Sequence, residues 1–241
     1  MEKRILVVED DDDIANKVVR ALRNERFEAD YVRNAEDALN RAKREKFDMF
    51  IIDIILPGDM DGKELLKKVR MTEGYYTVPV IFLTALSDEI DKVIGLELGA
   101  DDYVTKPFSS KELVTRVKVI FRRMEMDNKK IKEKPKKLKA KDIEIDLERY
   151  EVKVRDRKVN LTPLEFDLLK FMMENEGKVF AREKLLEELW GYDNFVDTRT
   201  VDVHIRRLRT KIEENPSKPR YIVTVRGKGY KFVDPGKEEY E

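Results

Sequence analysis

Five short apolar runs, RILVV, FEADYV, FDMFIID, VPVIFLTA and DDYVT, follow one another within residues 1–121. Stretches of helical periodicity near Asp12–Asn24, Ala35–Arg44, Gly62–Arg70, Asp88–Leu98 and Ser109–Arg123 alternate with them. Several runs are apolar almost throughout, as strands covered on both faces are. This alternation predicts an α/β domain built on a five-stranded, doubly wound parallel sheet. Right-handed crossovers restrict its topology, and function in such sheets gathers at the carboxyl ends of the strands.

Polar groups stand at those ends. Glu9 and Asp10 follow the first run, Asp53 closes the third, Thr84 the fourth and Lys106 the fifth. Taken singly, an acid at a strand end more often caps a helix, as Asp11 or Asp12 is expected to do here. Five such groups on one sheet edge are another matter. Crowded carboxylates repel and raise one another's pKa, and a hard divalent cation such as Mg2+ relieves that. With Lys106 supplying further positive charge, the arrangement suits attack by the Asp53 carboxylate on phosphorus, Thr84 bonding a phosphoryl oxygen.

The second half is written differently. A mostly charged stretch near 124–137, containing Pro135, reads as a linker, part of which can extend the preceding helix. DIEIDLERYEVKVRDRKVNL then predicts short antiparallel strands. LTPLEFDLLKFMMENEG opens a helix with Thr162 as N-cap, Pro163 at the first position and Glu165 three residues on, and closes at Gly177. AREKLLEELWG is a second helix, TRTVDVHIRRLRTKIEEN a third, and RYIVTVRGKGYKFV a hairpin. The third helix carries Val201, Ile205, Leu208 and Ile212 on one stripe. Arg199, Asp202, Val203, Arg206, Arg207 and Arg209 project elsewhere, a helix that fits a DNA major groove. Arg226 and Lys228 at the hairpin tip suit an adjacent minor groove.

Charge divides along the same line. Residues 1–121 hold 20 Lys and Arg against 25 Asp and Glu, and the remainder 30 against 25. An acidic half followed by a basic half predicts two domains with different partners, the basic one facing nucleic acid. The absence of cysteine excludes disulfides and thiolate metal sites, and a single histidine, His204, excludes a multi-histidine site. No membrane-length apolar stretch and no signal-peptide pattern are present, so a cytoplasmic protein without membrane contact is expected.

The acidic pair Glu9–Asp10 with IIDIILPGDMDG, VIFLTA and GADDYVTKPF resembles the receiver domain of two-component signalling. LTPLEFDLL, REKLLEELWG, TRTVDVHIRRLRTKI and TVRGKGYKF resemble the winged-helix effector domain of OmpR/PhoB-type response regulators. The resemblance implies a receiver over 1–123 and an α+β winged-helix effector over 138–234, with the linker over 124–137 between them, and the charged residues 235–241 read as a disordered acidic tail. It implies that Asp53 takes a phosphoryl group from a sensor histidine kinase, the protein being otherwise no enzyme. Mg2+ would be held by Asp10, Asp53 and the Ile55 carbonyl, with Glu9 acting through water. Thr84 and Lys106 would bind the phosphoryl group, Tyr103 would be the switch aromatic, and the Lys106–Pro107 peptide would be cis. Lys92, Asp101, Asp102, Glu112, Arg116 and Arg122 would join two receivers by ion pairs in a homodimer. Phosphate contacts would come from Trp190, Arg199, Thr200, His204, Arg206, Arg209, Thr224 and Arg226, with Tyr230 in support, and base contacts from Asp202, Val203 and Arg207. Direct-repeat DNA sites and RNA polymerase complete the expected partners. One departure stands out: PGDMDG has two residues between PG and DG where the family usually has one. The rival readings are a phosphohydrolase using Asp53, disfavoured because Ile55 stands where a second acid is needed, and a DNA-binding regulator whose receiver only docks.

Overall fold

A computed structural model describes residues 3–85, 99–130, 137–190 and 198–237, with 125–130 as backbone alone. The chain divides into two compact units, Met1–Lys118 and Val119–Glu241.

The first unit contains β1 (Arg4–Val8), α1 (Asp12–Asn24), β2 (Glu28–Val32), α2 (Ala35–Arg44), β3 (Met49–Asp53), α3 (Gly62–Met71), β4 (Val80–Thr84), β5 (Asp102–Thr105) and the start of α4 (Ser110–Lys130). The strands form one parallel sheet in the order β2-β1-β3-β4-β5. Every residue of β3 and β4 is buried, which is why those runs are apolar rather than alternating. Helix α1 buries Ala15, Val18, Val19 and Leu22, one stripe at helical spacing. Asp11 caps it by accepting from the amides of Asp13 and Ile14. The amphipathic stretch expected at Asp88–Leu98 lies outside the described residues.

In the second unit the end of α4 is followed by an antiparallel sheet, β6 (Lys137–Ala140), β7 (Ile143–Asp146), β8 (Glu151–Val154) and β9 (Arg157–Val159), in that order. Then come α5 (Pro163–Glu174), β10 (Val179–Phe180), α6 (Arg182–Trp190), α7 (Arg199–Ile212), β11 (Ile222–Val225) and β12 (Gly229–Phe232). The last two strands form the expected hairpin, and β10 adds to it in the order β10-β12-β11. Thr162 and Glu165 form the anticipated reciprocal cap at α5. Leu164, Leu168, Leu185, Val201, Ile205, Leu208 and Phe232 share one core, so the three helices and the hairpin are packed as one body.

The two boundary stretches take definite form. Helix α4 continues to Lys130, so residues 124–130 of the linker stretch extend the helix that precedes it, and Lys137 already belongs to β6. Residues 235–237 of the tail read as disordered form a turn instead. Asp234 accepts from the Gly236 amide at 2.9 Å, and Lys237 pairs with Glu176 at 2.6 Å.

Candidate functional site

At the carboxyl edge of the parallel sheet the five expected groups meet. The register pairs Asp53 with Leu83 and Thr84 with Thr105, which brings the ends of β3, β4 and β5 level. Glu9, Asp10 and Asp53 offer carboxylate oxygens all within 4.8 Å of one another, Asp10 exposed and the other two buried. Lys106 Nζ donates to Asp53 Oδ2 at 2.6 Å and to Glu9 Oε1 at 2.8 Å. Asp53 Oδ1 accepts from the Ile55 amide at 2.9 Å. The Lys106 amide donates to the Thr84 carbonyl at 2.6 Å, and the Lys106–Pro107 peptide is cis. Thr84 and Tyr103 are buried.

The electrostatics follow from that crowding. Burial pushes Glu9 up to about 7, with the Lys106 hydrogen bond pulling it down and the Asp53 charge adding to the rise. Burial pulls Lys106 down, and its bonds to Asp53 and Glu9 more than reverse this, so its pKa is raised. Three hard oxygen donors beside an exposed opening are a set that a divalent cation of the Mg2+ type fits.

In the PGDMDG loop Asp59 is exposed and Met60 is buried. Gly62 is a site residue that sequence reasoning passed over. A Cβ there would stand 2.0 Å from the Asp53 carbonyl oxygen. Its amide donates to Ile54 O at 3.0 Å, and the neighbouring Asp61 caps α3. The DG pair that closes the loop was the available signal.

Four of the residues expected to join two receivers, Asp101, Asp102, Glu112 and Arg116, are paired within this chain. Arg116 bonds Asp102 at 2.9 Å and Glu112 at 3.0 Å. Asp101 meets Arg70 at 3.2 Å and accepts from the Val80 amide at 2.9 Å. Asp101, Asp102 and Arg116 are buried, Arg122 is exposed, and Lys92 lies outside the described residues.

In the second unit, Arg199 and Arg206 on α7 and Thr224, Arg226 and Lys228 on the hairpin are exposed. The hairpin turn needs glycine, since Gly227 has φ of 70°. Arg209 donates to Ile222 O at 2.9 and 2.6 Å and to Thr224 Oγ1 at 2.8 Å, tying helix to hairpin. Asp202 accepts from Arg182 Nε at 2.6 Å and from Tyr230 OH at 2.7 Å.

Other residues expected at DNA turn inward. Arg207 pairs with the buried carboxylate of Glu165 at 2.8 Å, which Lys211 also bonds. Thr200, Val203, Trp190 and Tyr230 are buried. His204 is fully buried, 5.4 Å ring to ring from Trp190, and among the described residues neither of its nitrogens has a hydrogen-bond partner. Burial and the neighbouring charges of Arg207, Arg123 and Lys211 hold its pKa well below the usual 6.5. A helix of this pitch has one outward face, and these positions fall beside it.

Residues 5–118 match the family model for the response regulator receiver domain, and 156–232 that of the transcriptional regulatory protein C-terminal domain. The sensory transduction protein RegX3 of Mycolicibacterium smegmatis is 44% identical over 228 residues, covering 95% of this chain and 98% of that protein. The DNA-binding response regulator MtrA of the same organism is 42% identical over 235 residues, covering 98% and 99%. Among solved structures, a RitR mutant superposes with a TM-score of 0.75 at 30% identity over 95% of this chain and 98% of its own. The response regulator DrrB, an OmpR/PhoB homologue of Thermotoga maritima, does so with 0.51 at 38% identity over 97% and 100%. Among the described residues no helix is long and apolar enough to cross a membrane. With a parallel-sheet receiver followed by a winged-helix DNA-binding domain, this chain belongs to the OmpR/PhoB family of two-component response regulators.

Proposed function

We propose that Asp53 is the phospho-acceptor of a transcription regulator whose DNA binding is controlled by a sensor histidine kinase. The observation that carries this is the convergence of Glu9, Asp10 and Asp53 within 4.8 Å, with Lys106 on the Asp53 oxygen at 2.6 Å. Asp53 attacks the phosphorus of a phosphohistidine; a P–O bond forms, the P–N bond breaks, and the freed imidazole takes a proton from solvent. Lys106 neutralises charge on the transferred group and Thr84 bonds one of its oxygens. Asp10, Asp53 and the Ile55 carbonyl would hold Mg2+, which supplies charge neutralisation at the phosphoryl oxygens. The chain then acts only on its own phosphorylation and dephosphorylation.

Added charge at Asp53 must bias a two-state element to act at a distance, and Thr84 with Tyr103 is that element. Dimerisation through the receiver follows, with Asp102, Glu112 and Arg116 exchanging in-chain for cross-chain partners alongside Arg122. Two effector domains then occupy direct repeats in a cytoplasmic setting, with RNA polymerase as a further partner, and linkage raises their effective concentration. On DNA, Arg199, Arg206 and Arg226 meet phosphate.

The test is incubation with acetyl phosphate and Mg2+ followed by peptide mass spectrometry. A phosphoryl group on Asp53, absent from Asp53→Asn, is expected, and a modification on another side chain would overturn the assignment. Beryllofluoride with Mg2+ is expected to shift sedimentation toward dimers and to tighten duplex binding. Equal binding with and without it would favour a receiver that only docks.

A further inference from the structure

Asp202 occupies the outward face of α7, one turn from Arg199 and one from Arg206, where a bare carboxylate would repel phosphate. It is not bare. Both its donors converge on one oxygen: Arg182 Nε at 2.6 Å and Tyr230 OH at 2.7 Å. Arg182 is the first residue of α6, and Tyr230 lies in β12. Arg182 Nη2 reaches Tyr230 OH at 3.4 Å, and its guanidinium carbon stands 5.1 Å from the Tyr230 ring centroid. Arg209 puts its own guanidinium carbon 5.5 Å from that ring while bonding Ile222 O and Thr224 Oγ1 of β11. Second helix, third helix and hairpin therefore meet at one phenol and one carboxylate.

The hydrogen bonds explain the chemistry of each member. Asp202, bonded to the phenol, adds to the burial that pushes Tyr230 up to about 12, so the phenol keeps its proton and remains a donor. The carboxylate is oriented by the protein before any duplex arrives, and its charge is matched by the Arg182 guanidinium.

We propose that Arg182 is a positioning residue for DNA binding, which acts through Asp202 by cancelling its charge and, with Tyr230, setting the hairpin against α7. This rests on the reading of α7 and the hairpin as the duplex-facing surface.

A double-mutant cycle tests it. Full-length protein treated with beryllofluoride and Mg2+ first selects duplexes from a random-sequence pool. Affinities of wild type, Arg182→Ala, Asp202→Ala and the double variant are then measured on the selected duplex across a salt series. Arg182→Ala is expected to weaken binding about tenfold in the wild-type background and less than about twofold once Asp202 is alanine. The slope of log K against log salt is expected to stay unchanged, because no phosphate contact is lost. Arg182→Lys, which keeps the charge, is expected to bind within about threefold of wild type, and it serves as the variant of record should the alanine form fail to fold. The same cost in both backgrounds, with a slope smaller by about one unit, would place Arg182 on phosphate and overturn the proposal. Wild type selecting no sequence at all would remove the DNA reading itself, and this inference with it.

Discussion

The ammonium of Lys106 stands 2.6 Å from the carboxylate of Asp53, two side chains that begin 53 residues apart. The same nitrogen holds Glu9, so one cation serves two buried anions.

Lys106→Met should leave both carboxylates uncompensated. In EDTA the receiver is expected to lose about 3 kcal/mol, the low end of what breaking a buried pair costs. Mg2+ should return more stability to this variant than to wild type, since the cation then meets charge that nothing else offsets. Thermal denaturation with and without Mg2+ checks both; an identical Mg2+ response in the two proteins would argue against a cation site here.

Gly62→Ala should be severe for a reason unrelated to helix propensity. The added methyl would lie 2.0 Å from the Asp53 carbonyl oxygen, so the backbone of the acceptor has to move. A loss of about 3 kcal/mol or more is expected, together with slower labelling of Asp53 by acetyl phosphate. Gly74, whose φ is 84° with open space around it, should tolerate alanine better, limited by backbone strain alone.

His204 predicts a pH dependence. Its pKa in the folded chain lies well below the ordinary 6.5, through burial first and then Arg207, Arg123 and Lys211. Above about pH 6.5 neither folded nor unfolded His204 holds the extra proton, and the group contributes nothing. As pH falls below that value the unfolded chain binds the proton more readily, and stability is lost. The melting temperature of the second unit should therefore fall from pH 7 to pH 5, and fall less in His204→Phe. Parallel curves for the two proteins would contradict the burial.

Arg206 and Arg207 are neighbours in sequence with opposite expected phenotypes. Arg206 is exposed on α7, so Arg206→Ala should cost less than about 1 kcal/mol of stability and reduce the salt slope of DNA binding by about one unit. Arg207 pairs with the fully buried Glu165, so Arg207→Ala should cost about 1–3 kcal/mol of stability. Lys211 softens that loss by retaining its own bond to Glu165. Circular-dichroism melts and fluorescence anisotropy on a labelled duplex separate the two effects.

What the chain's own pattern determined is local or periodic. Runs with no polar alternation identified β3 and β4 as strands covered on both faces, and both are wholly buried. The T-P-L-E order set the start of α5, and the strand-end acids pointed to the edge where Asp53 and Lys106 meet. Those inferences hold because hydrophobic period and capping depend on a few consecutive residues, and because a parallel sheet carries its strand ends to one side. Which partner a charged side chain takes is another kind of question. Arginines on α7 look alike in sequence, yet Arg206 is exposed, Arg207 turns to Glu165 and Arg209 bonds the hairpin. Asp101 and Asp102 found Arg70 and Arg116 within their own chain, and Asp202 found Arg182 and Tyr230. Only the tertiary structure decides such pairings, because an ion pair forms with whichever opposite charge the packing of distant segments brings within 3 to 4 Å.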